Sequence, residues 1–242
     1  MKYSGFTFVH NALTGGYPIR EAIRAVAPYV DEVVAVDMES TDGTREILLE
    51  MGCRVIDGEW GKKAEGTLQK NHAMHVDCRH ENIIHFEADE VWDNSLLNYA
   101  VGTGLRNTLC YRVQVEQNFQ RMRWGHHQVH RIFQRGKATK DRNRGHTTEE
   151  HDTVGLILSP SYGLIWDCTY CFRDQWKSRA EQNAELWGES PQYNRCTPGH
   201  FLFPPRTEDV DAFLCESHWA FRSSPFDLPV SLQNLVGVTK YE

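Results

Sequence analysis

Five polar residues fall where apolar runs of the sequence stop. Asn11 follows Gly5–His10, Asp37 ends Val33–Asp37 and Glu39 comes just after it. Glu87 and Asp89 lie in Glu87-Ala88-Asp89-Glu90, directly after Ile83–Phe86. Between these acids sits a basic helix start, Gln69-Lys70-Asn71. Carboxylates are hard oxygen donors suited to a divalent cation, and they accept hydrogen bonds. The plainer reading is that Asp37 and Asp89 only cap helices. A second set is Cys168-x-x-Cys171 with Cys196-x-x-x-His200, a spacing that could enclose a structural zinc ion. Trp166, Tyr170, Phe172 and Trp176 around the first pair favour a core role instead. A third is basic: from Arg112 to Arg144 there are nine Lys or Arg against two acids, Glu116 and Asp141. Such a segment attracts phosphate whatever the total charge, or it is a solvated surface ribbon.

The elements that would position these groups are readable from periodicity. Gly5–His10 is a short apolar strand. Pro18 begins a helix whose apolar face is Ile19, Ala22, Ile23, Val26 and Val30. Val33–Asp37 is a continuous apolar run, as in a strand covered on both faces. Ser40-Thr41-Asp42-Gly43-Thr44 is a turn with capping residues, followed by a helix bearing Ile47, Leu48 and Met51 and closed by Gly52. Arg54–Ile56 is a third strand; Leu68, Ala73 and Val76 mark a third helix; Ile83–Phe86 is a fourth strand. Alternating strands and helices predict an α/β fold with a mostly parallel sheet, and ligands there bind beyond the carboxyl ends of the strands. The second half is more mixed. Leu109–Val115 and Val129–Gln134 read as strands, Phe172–Trp187 as a helix, and the segment near Leu228–Leu235 as a short one.

At 242 residues, with 40% hydrophobic and 24% charged residues, the chain fits one globular domain. No apolar run approaches the ~20 residues that span a bilayer. The N-terminus enters a strand directly, without a signal-peptide pattern. Seven irregularly spaced cysteines suit reduced thiols better than a disulfide framework. A cytoplasmic protein is the resulting expectation.

Four pieces then occur in order: Val9-His10-Asn11, Val34-Ala35-Val36-Asp37-Met38-Glu39-Ser40-Thr41-Asp42-Gly43-Thr44, Gln69-Lys70-Asn71 and Glu87-Ala88-Asp89-Glu90. Together they resemble the family 2 glycosyltransferases over residues 4–93. The resemblance implies a GT-A (Rossmann-like) sheet flanked by helices. Residues 1–105 would form the nucleotide-sugar-binding half, and residues 106–242 a mixed α+β, acceptor-binding half of the same domain. It implies metal-dependent transfer of a sugar from a UDP-sugar to an acceptor hydroxyl. Asp89 would hold Mn²⁺ or Mg²⁺. Glu87, where the family has Asp, keeps the charge on a longer arm, so it would bind the metal, a metal-bound water or the ribose. Asp37 would accept hydrogen bonds from the uracil or ribose. Phe8, His10 and Asn11 would line the base pocket, with Glu39 and Ala88 at its edges and Ala12 standing where the family has Glu. Gln69, Lys70 and Asn71 would close the base and phosphate side. In Cys215–Arg222, His218 resembles a third metal ligand, which would favour Mn²⁺, and Arg222 a diphosphate contact. If the transfer inverts the anomeric centre, a general base is expected in the Gly145–Asp152 region: Glu150 first, then Glu149 and Asp152, with a solvated acidic loop as the rival reading.

The acceptor is approached through the basic segment. Arg121, Arg123, Trp124 and Arg131 are its candidate contacts, with Phe119, Trp124 and Phe133 available to stack on bases. Some phage-type relatives glycosylate hydroxymethylated pyrimidines in DNA, which would require base flipping and place the protein in a host cytoplasm. Lipopolysaccharide or a lipid-linked glycan is the rival acceptor. A nucleotidyltransferase would share the sheet but needs a Gly-rich basic loop after the first strand, and residues 11–20 hold only Gly15-Gly16 and no such loop. A zinc-stapled nucleic-acid-binding module on an inactive transferase fold is the alternative outside enzymes.

Overall fold

The computed structural model describes residues 1–60, 73–105, 108–116, 121–135 and 158–168. Its strands are β1 (Tyr3–Val9), β2 (Glu32–Met38), β3 (Arg54–Gly58), β4 (Asn82–His85), β5 (Glu90–Trp92), β6 (Thr108–Glu116), β7 (Arg121–Gln134) and β8 (Ile165–Asp167). Three helices accompany them: α1 (Ile19–Val26), α2 (Thr44–Glu50) and α3 (Asn94–Thr103). Residues 73–76 are also helical. The described strands form one sheet in the order β3-β2-β1-β4-β7-β6-β8-β5. The first four run parallel; β7 is antiparallel to β4 and to β6, β8 is parallel to β6, and β5 is antiparallel to β8. The expected α/β class with a mostly parallel sheet is what the chain adopts. Because β7 pairs with β4, the sheet runs without interruption across the boundary expected at residue 105.

Apolar side chains leave the strands on both faces, which is why Val33–Asp37 reads as a continuous hydrophobic run. Tyr3, Val9, Val33, Ala35, Ile84 and Phe86 pack with Ile19, Ile23, Leu48 and Leu97 from the helices on one face. Phe6, Val34, Val36, Met38, Ile83 and Phe133 pack with Ala73 and Met74 on the other.

Several sequence expectations shift in detail. Helix α1 starts at Ile19 with Pro18 as its cap, and it stops before Val30. Pro28, which has no N–H to donate, lies in a 3₁₀ turn at Ala27–Tyr29 instead. Val76 is 61% exposed and does not face the core. Met74, two residues earlier and so about 200° away round a helix, takes the inward position. Strand β7 starts at Arg121, eight residues before the expected Val129, because charged and His residues hide its alternation. Helix α3 and the three-residue strands β5 and β8 were not legible from apolar periodicity. The helices expected at Phe172–Trp187 and Leu228–Leu235 lie outside the described residues.

Asp93 ties α3 to β8. Its carboxylate accepts the Leu164 N–H at 2.8 Å and the Trp166 indole N–H at 2.7 Å, while its own N–H donates to the Leu164 carbonyl. Burial pushes the carboxyl above the ordinary range, and the two donors oppose that shift. Asp93→Ala leaves both donors without their acceptor, and the expected loss of stability is about 1–3 kcal/mol in urea titrations. The buried thiols give a second check. Burial pushes Cys53 up to about 11 and Cys78 and Cys110 up to about 12. Peptide mapping after a thiol reagent at neutral pH is expected to find these three cysteines unlabelled until denaturant is added.

Candidate functional site

The parallel register sets the arrangement at the carboxyl edge of the sheet. Val9 is level with Asp37, and Asp37 with Asp57. Arg45, in the first turn of α2, reaches over this row: Nη1 lies 3.2 Å from Asp37 Oδ2 and 2.7 Å from Asp57 Oδ1. The other Asp37 oxygen accepts the Ser40 N–H at 3.2 Å. Asp37 is only 4% exposed, so both its oxygens are engaged by its own chain, each with a further lone pair to offer.

Two loops beyond this edge are laced together. The Asn11 N–H donates to Ser40 Oγ at 2.9 Å, and Asn11 Oδ1 accepts the Thr41 N–H at 2.8 Å. Asp42 accepts the Thr14 N–H at 2.7 Å with one oxygen and both the N–H and hydroxyl of Thr44 with the other. Asn11 and Glu39 are the described non-glycine residues with positive φ, at 46° and 56°. For Glu39 such a conformation costs about 1–2 kcal/mol; its carboxylate accepts the Trp60 N–H at 3.2 Å. Trp60 in turn stacks on His10, with ring centroids 3.8 Å apart. His10 Nδ1 contacts the Met38 carbonyl, and Nε2 lies 3.0 Å from the Asn11 amide nitrogen. A carbonyl requires a donor and an amide N–H an acceptor, so these contacts put a proton on Nδ1 and suit a bare Nε2.

Strand alternation separates the expected nucleotide residues. Phe8 packs on the face that carries Met38 and Trp60, while Asp37 leaves β2 on the face of α2. A ligand touching Phe8, His10, Asn11 and Asp37 together therefore lies across the sheet edge.

The acidic motif is a tight turn. The Glu90 N–H donates to the Glu87 carbonyl at 3.0 Å, placing Ala88 and Asp89 at its centre. Asp89 and Ala88 are buried, Glu87 is half-buried, and Glu90 is fully buried. The Asp89 carbonyl accepts the Cys168 N–H at 2.7 Å. Asp167 stands opposite Glu90 across the β5–β8 pair, adding a buried acid that no sequence motif marked. Arg131 enters this cluster from β7. Its Nη2 lies 2.7 Å from Glu90 Oε1 and 2.8 Å from Glu87 Oε1, and its Nε lies 3.0 Å from Glu90 Oε2. Burial disfavours the charged guanidinium, but Glu87 and Glu90 outweigh it and raise its pKa further.

This corrects the expectation that Arg131 contacts an acceptor. At 4% exposure and paired with two acids, it is not available to an external phosphate. Phe133, expected to stack on bases, is fully buried in the core. Arg121, Arg123 and Trp124 lie on β7. Cys168 is buried with its thiol directed at the Trp166 carbonyl, while Cys171, Cys196 and His200 lie outside the described residues. Also outside them are Gln69, Lys70, Asn71, Glu149, Glu150, Asp152, His218 and Arg222. Arg45, Trp60 and Asp167 are site neighbours that sequence reasoning passed over, and Glu90 stood in its motif with no role assigned. Arg45 had a signal, since it adjoins the motif residue Thr44.

No protein-family model matches the sequence, and no curated protein matches it. Among solved structures, a UDP complex of S. aureus TarS residues 1–349 is 21% identical, over 48% of this chain and 36% of that one, with a TM-score of 0.38. A longer S. aureus TarS structure matches 77% of this chain and 40% of its own at 13% identity and a TM-score of 0.45. Glucosyl-3-phosphoglycerate synthase from Mycobacterium tuberculosis, in complex with Mn²⁺, UDP and glucosyl-3-phosphoglycerate, is 18% identical over 49% of this chain and 46% of that one, with a TM-score of 0.35. The chain thus spans less than half the length of each.

The lacing of the two loops is testable through Asp42. Burial works to raise its carboxyl, but hydrogen bonds from Thr44 and Thr14 prevail and hold it below the ordinary range. A depressed carboxyl stabilises the fold above the unfolded-state value of about 3.9 and loses that contribution as pH falls through the lower folded value. Asp42→Ala is expected to cost about 1 kcal/mol at neutral pH. In thermal melts from neutral to acid pH, the gap between wild type and variant should close in the acid limb; a gap independent of pH would refute the role.

Proposed function

We propose that this chain is a divalent-metal-dependent glycosyltransferase that moves a sugar from a UDP-sugar to an acceptor hydroxyl. The observation that carries the reading is the arrangement around β1. The chain leaves β1 to build β2 and β3 on one side and β4 on the other, so the strand order reverses at β1, the point where ligands of open α/β sheets commonly bind. Asn11 stands at the end of β1, Asp37 at the end of β2, and the acidic turn follows β4. β2 and β4 are two strand spacings apart, about 10 Å, a span suited to a nucleoside diphosphate. Three of the four sequence pieces resembling family 2 glycosyltransferases, around Asn11, Asp37 and Asp89, follow β1, β2 and β4.

The residues present fit a metal. Among the described residues, no three His, Cys, Asp or Glu side chains form a closed metal cluster. Glu87 and Asp89 are hard oxygen donors flanking the small Ala88. One or two carboxylates, completed by substrate phosphates and water, is the donor set typical of Mg²⁺ and similar hard cations. A cation held there would supply charge neutralisation for the departing diphosphate. In this reading Asp89 is the principal ligand, and Asp37 and Asn11 accept hydrogen bonds from the base or ribose. Phe8, His10 and Trp60 form an apolar and aromatic shelf, with Glu39 at its rim. Gln69, Lys70 and Asn71 on the phosphate side, His218 and Arg222 near the metal, and Glu150, Glu149 or Asp152 as the base are assigned from the sequence pattern.

On the acceptor side the reading rests on the charge of the segment from Arg112 to Arg144. It favours a phosphate-rich acceptor, and DNA bearing hydroxymethylated pyrimidines is the one proposed. Since Arg131 and Phe133 are buried, Arg121, Arg123 and Trp124 remain as its contacts. Lipid-linked glycan is the competing acceptor. Among the described residues no helix is long and apolar enough to cross a membrane.

UDP release from a panel of UDP-sugars, with and without hydroxymethylcytosine-containing DNA, tests both parts. Mn²⁺-dependent release is expected, abolished by EDTA and lowered at least ~100-fold by Asp89→Ala, as for loss of a term worth several kcal/mol. Release indifferent to EDTA and to Asp89→Ala would sink the metal assignment. Release that DNA does not stimulate would transfer the acceptor to glycans.

A further inference from the structure

We propose that Arg131 is a positioning residue that fixes the acidic turn for metal binding by holding Glu87 and Glu90 in place. The inference rests on reading this turn as a metal site. Glu87 has a longer, more flexible arm than the Asp it replaces in the family pattern, and an unrestrained arm would sample many rotamers. Here the Arg131 Nη2 contact at 2.8 Å engages one Glu87 oxygen, while the Glu87 N–H donates to Glu90 Oε2 at 3.2 Å. Glu90 is locked by the same guanidinium through Nε and Nη2. Only a planar fork serves two carboxylates in this way; an ammonium group is a point donor on a flexible stem. The guanidinium also sets the charge. Its positive charge stands against the carboxyl groups of Glu87 and Glu90, with Asp89 and Asp167 also nearby. Arg131 itself is buried behind the turn, so it acts on a bound cation through Glu87 and not by direct contact.

A purely structural ion pair would affect stability alone, so the deciding measurement is metal affinity. The double substitution Arg131→Met with Glu90→Met removes one charge of each sign and leaves the formal charge of the turn unchanged. Apolar replacement of a buried pair is commonly tolerated by the fold. Mn²⁺ binding is measured on the full chain by the electron paramagnetic resonance signal of the free ion, with no turnover needed. Wild type should bind Mn²⁺, and the double variant, cooperatively folded by circular dichroism, should bind about tenfold or more weakly, as for loss of a group that orients a ligand. Arg131→Lys keeps the charge and loses the fork, and it should weaken binding in the same direction; it decides between the two roles if the double variant does not fold. Affinities within about twofold of wild type in the folded variants would overturn the positioning role. Wild type that takes up no Mn²⁺ would instead overturn the metal site, and this inference with it.

Discussion

A charge removed from water must keep a partner, and in this chain that requirement binds the two halves of the sheet together. Glu90 has no solvent exposure, so its carboxylate is tolerable only beside the Arg131 guanidinium. Arg131 lies on β7 and Glu90 on β5, three places apart in the strand order. The far part of the sheet therefore curls back until its last strand meets the strand beside β4. The acidic turn closes that curl, with Glu87 on one side and Cys168 hydrogen-bonded to the Asp89 carbonyl on the other. The ion pair is a weak source of net stability, since desolvation offsets much of its attraction. Its contribution is to make one arrangement of the turn far better than its neighbours.

The carboxyl edge of β1 and β2 is organised differently, by short polar links between loops. Asp37, Ser40, Thr41 and Asp42 are occupied with loop hydrogen bonds, and Asn11 joins the first loop to the second. An edge built this way is ordered by its own hydrogen bonds, so little ordering would remain to oppose a ligand there. The Arg45 bridge from Asp37 to Asp57 extends the same edge to β3.

Much of the sheet was legible because both of its faces are covered. Val33–Asp37 and Ile83–Phe86 could only be buried strands, and the acids that end or follow them could only lie at the carboxyl edge. Residues beyond the strands escaped prediction for a physical reason. Trp60 meets His10 through the path of the chain after β3, and no spacing encodes that contact. Asp167 becomes a neighbour of Glu90, 77 residues away in the chain, only because β5 and β8 pair, and three-residue strands carry too little alternation to announce themselves. Arg131 misled in an instructive way: a basic residue in a basic segment reads as surface, yet two of its neighbours, Ile132 and Phe133, are core. An arginine beside such residues in a strand is a candidate for a buried acid's partner.

The pairing of β5 with β8 also bears on the order in which the chain can assemble. Strands β1 to β4 are complete by His85, and their parallel pairs need nothing downstream except the covering of their open edge. The acidic turn is complete only when Arg131 and then Ile165–Cys168 have arrived, the latter a separation of many tens of residues that raises the entropic cost of closing the contact. A nascent chain would thus hold the formed edge of β1 and β2 beside an unfinished acidic turn. The buried carboxylates of the turn take their final places late, so a finished acidic turn marks completion of the fold and not its beginning.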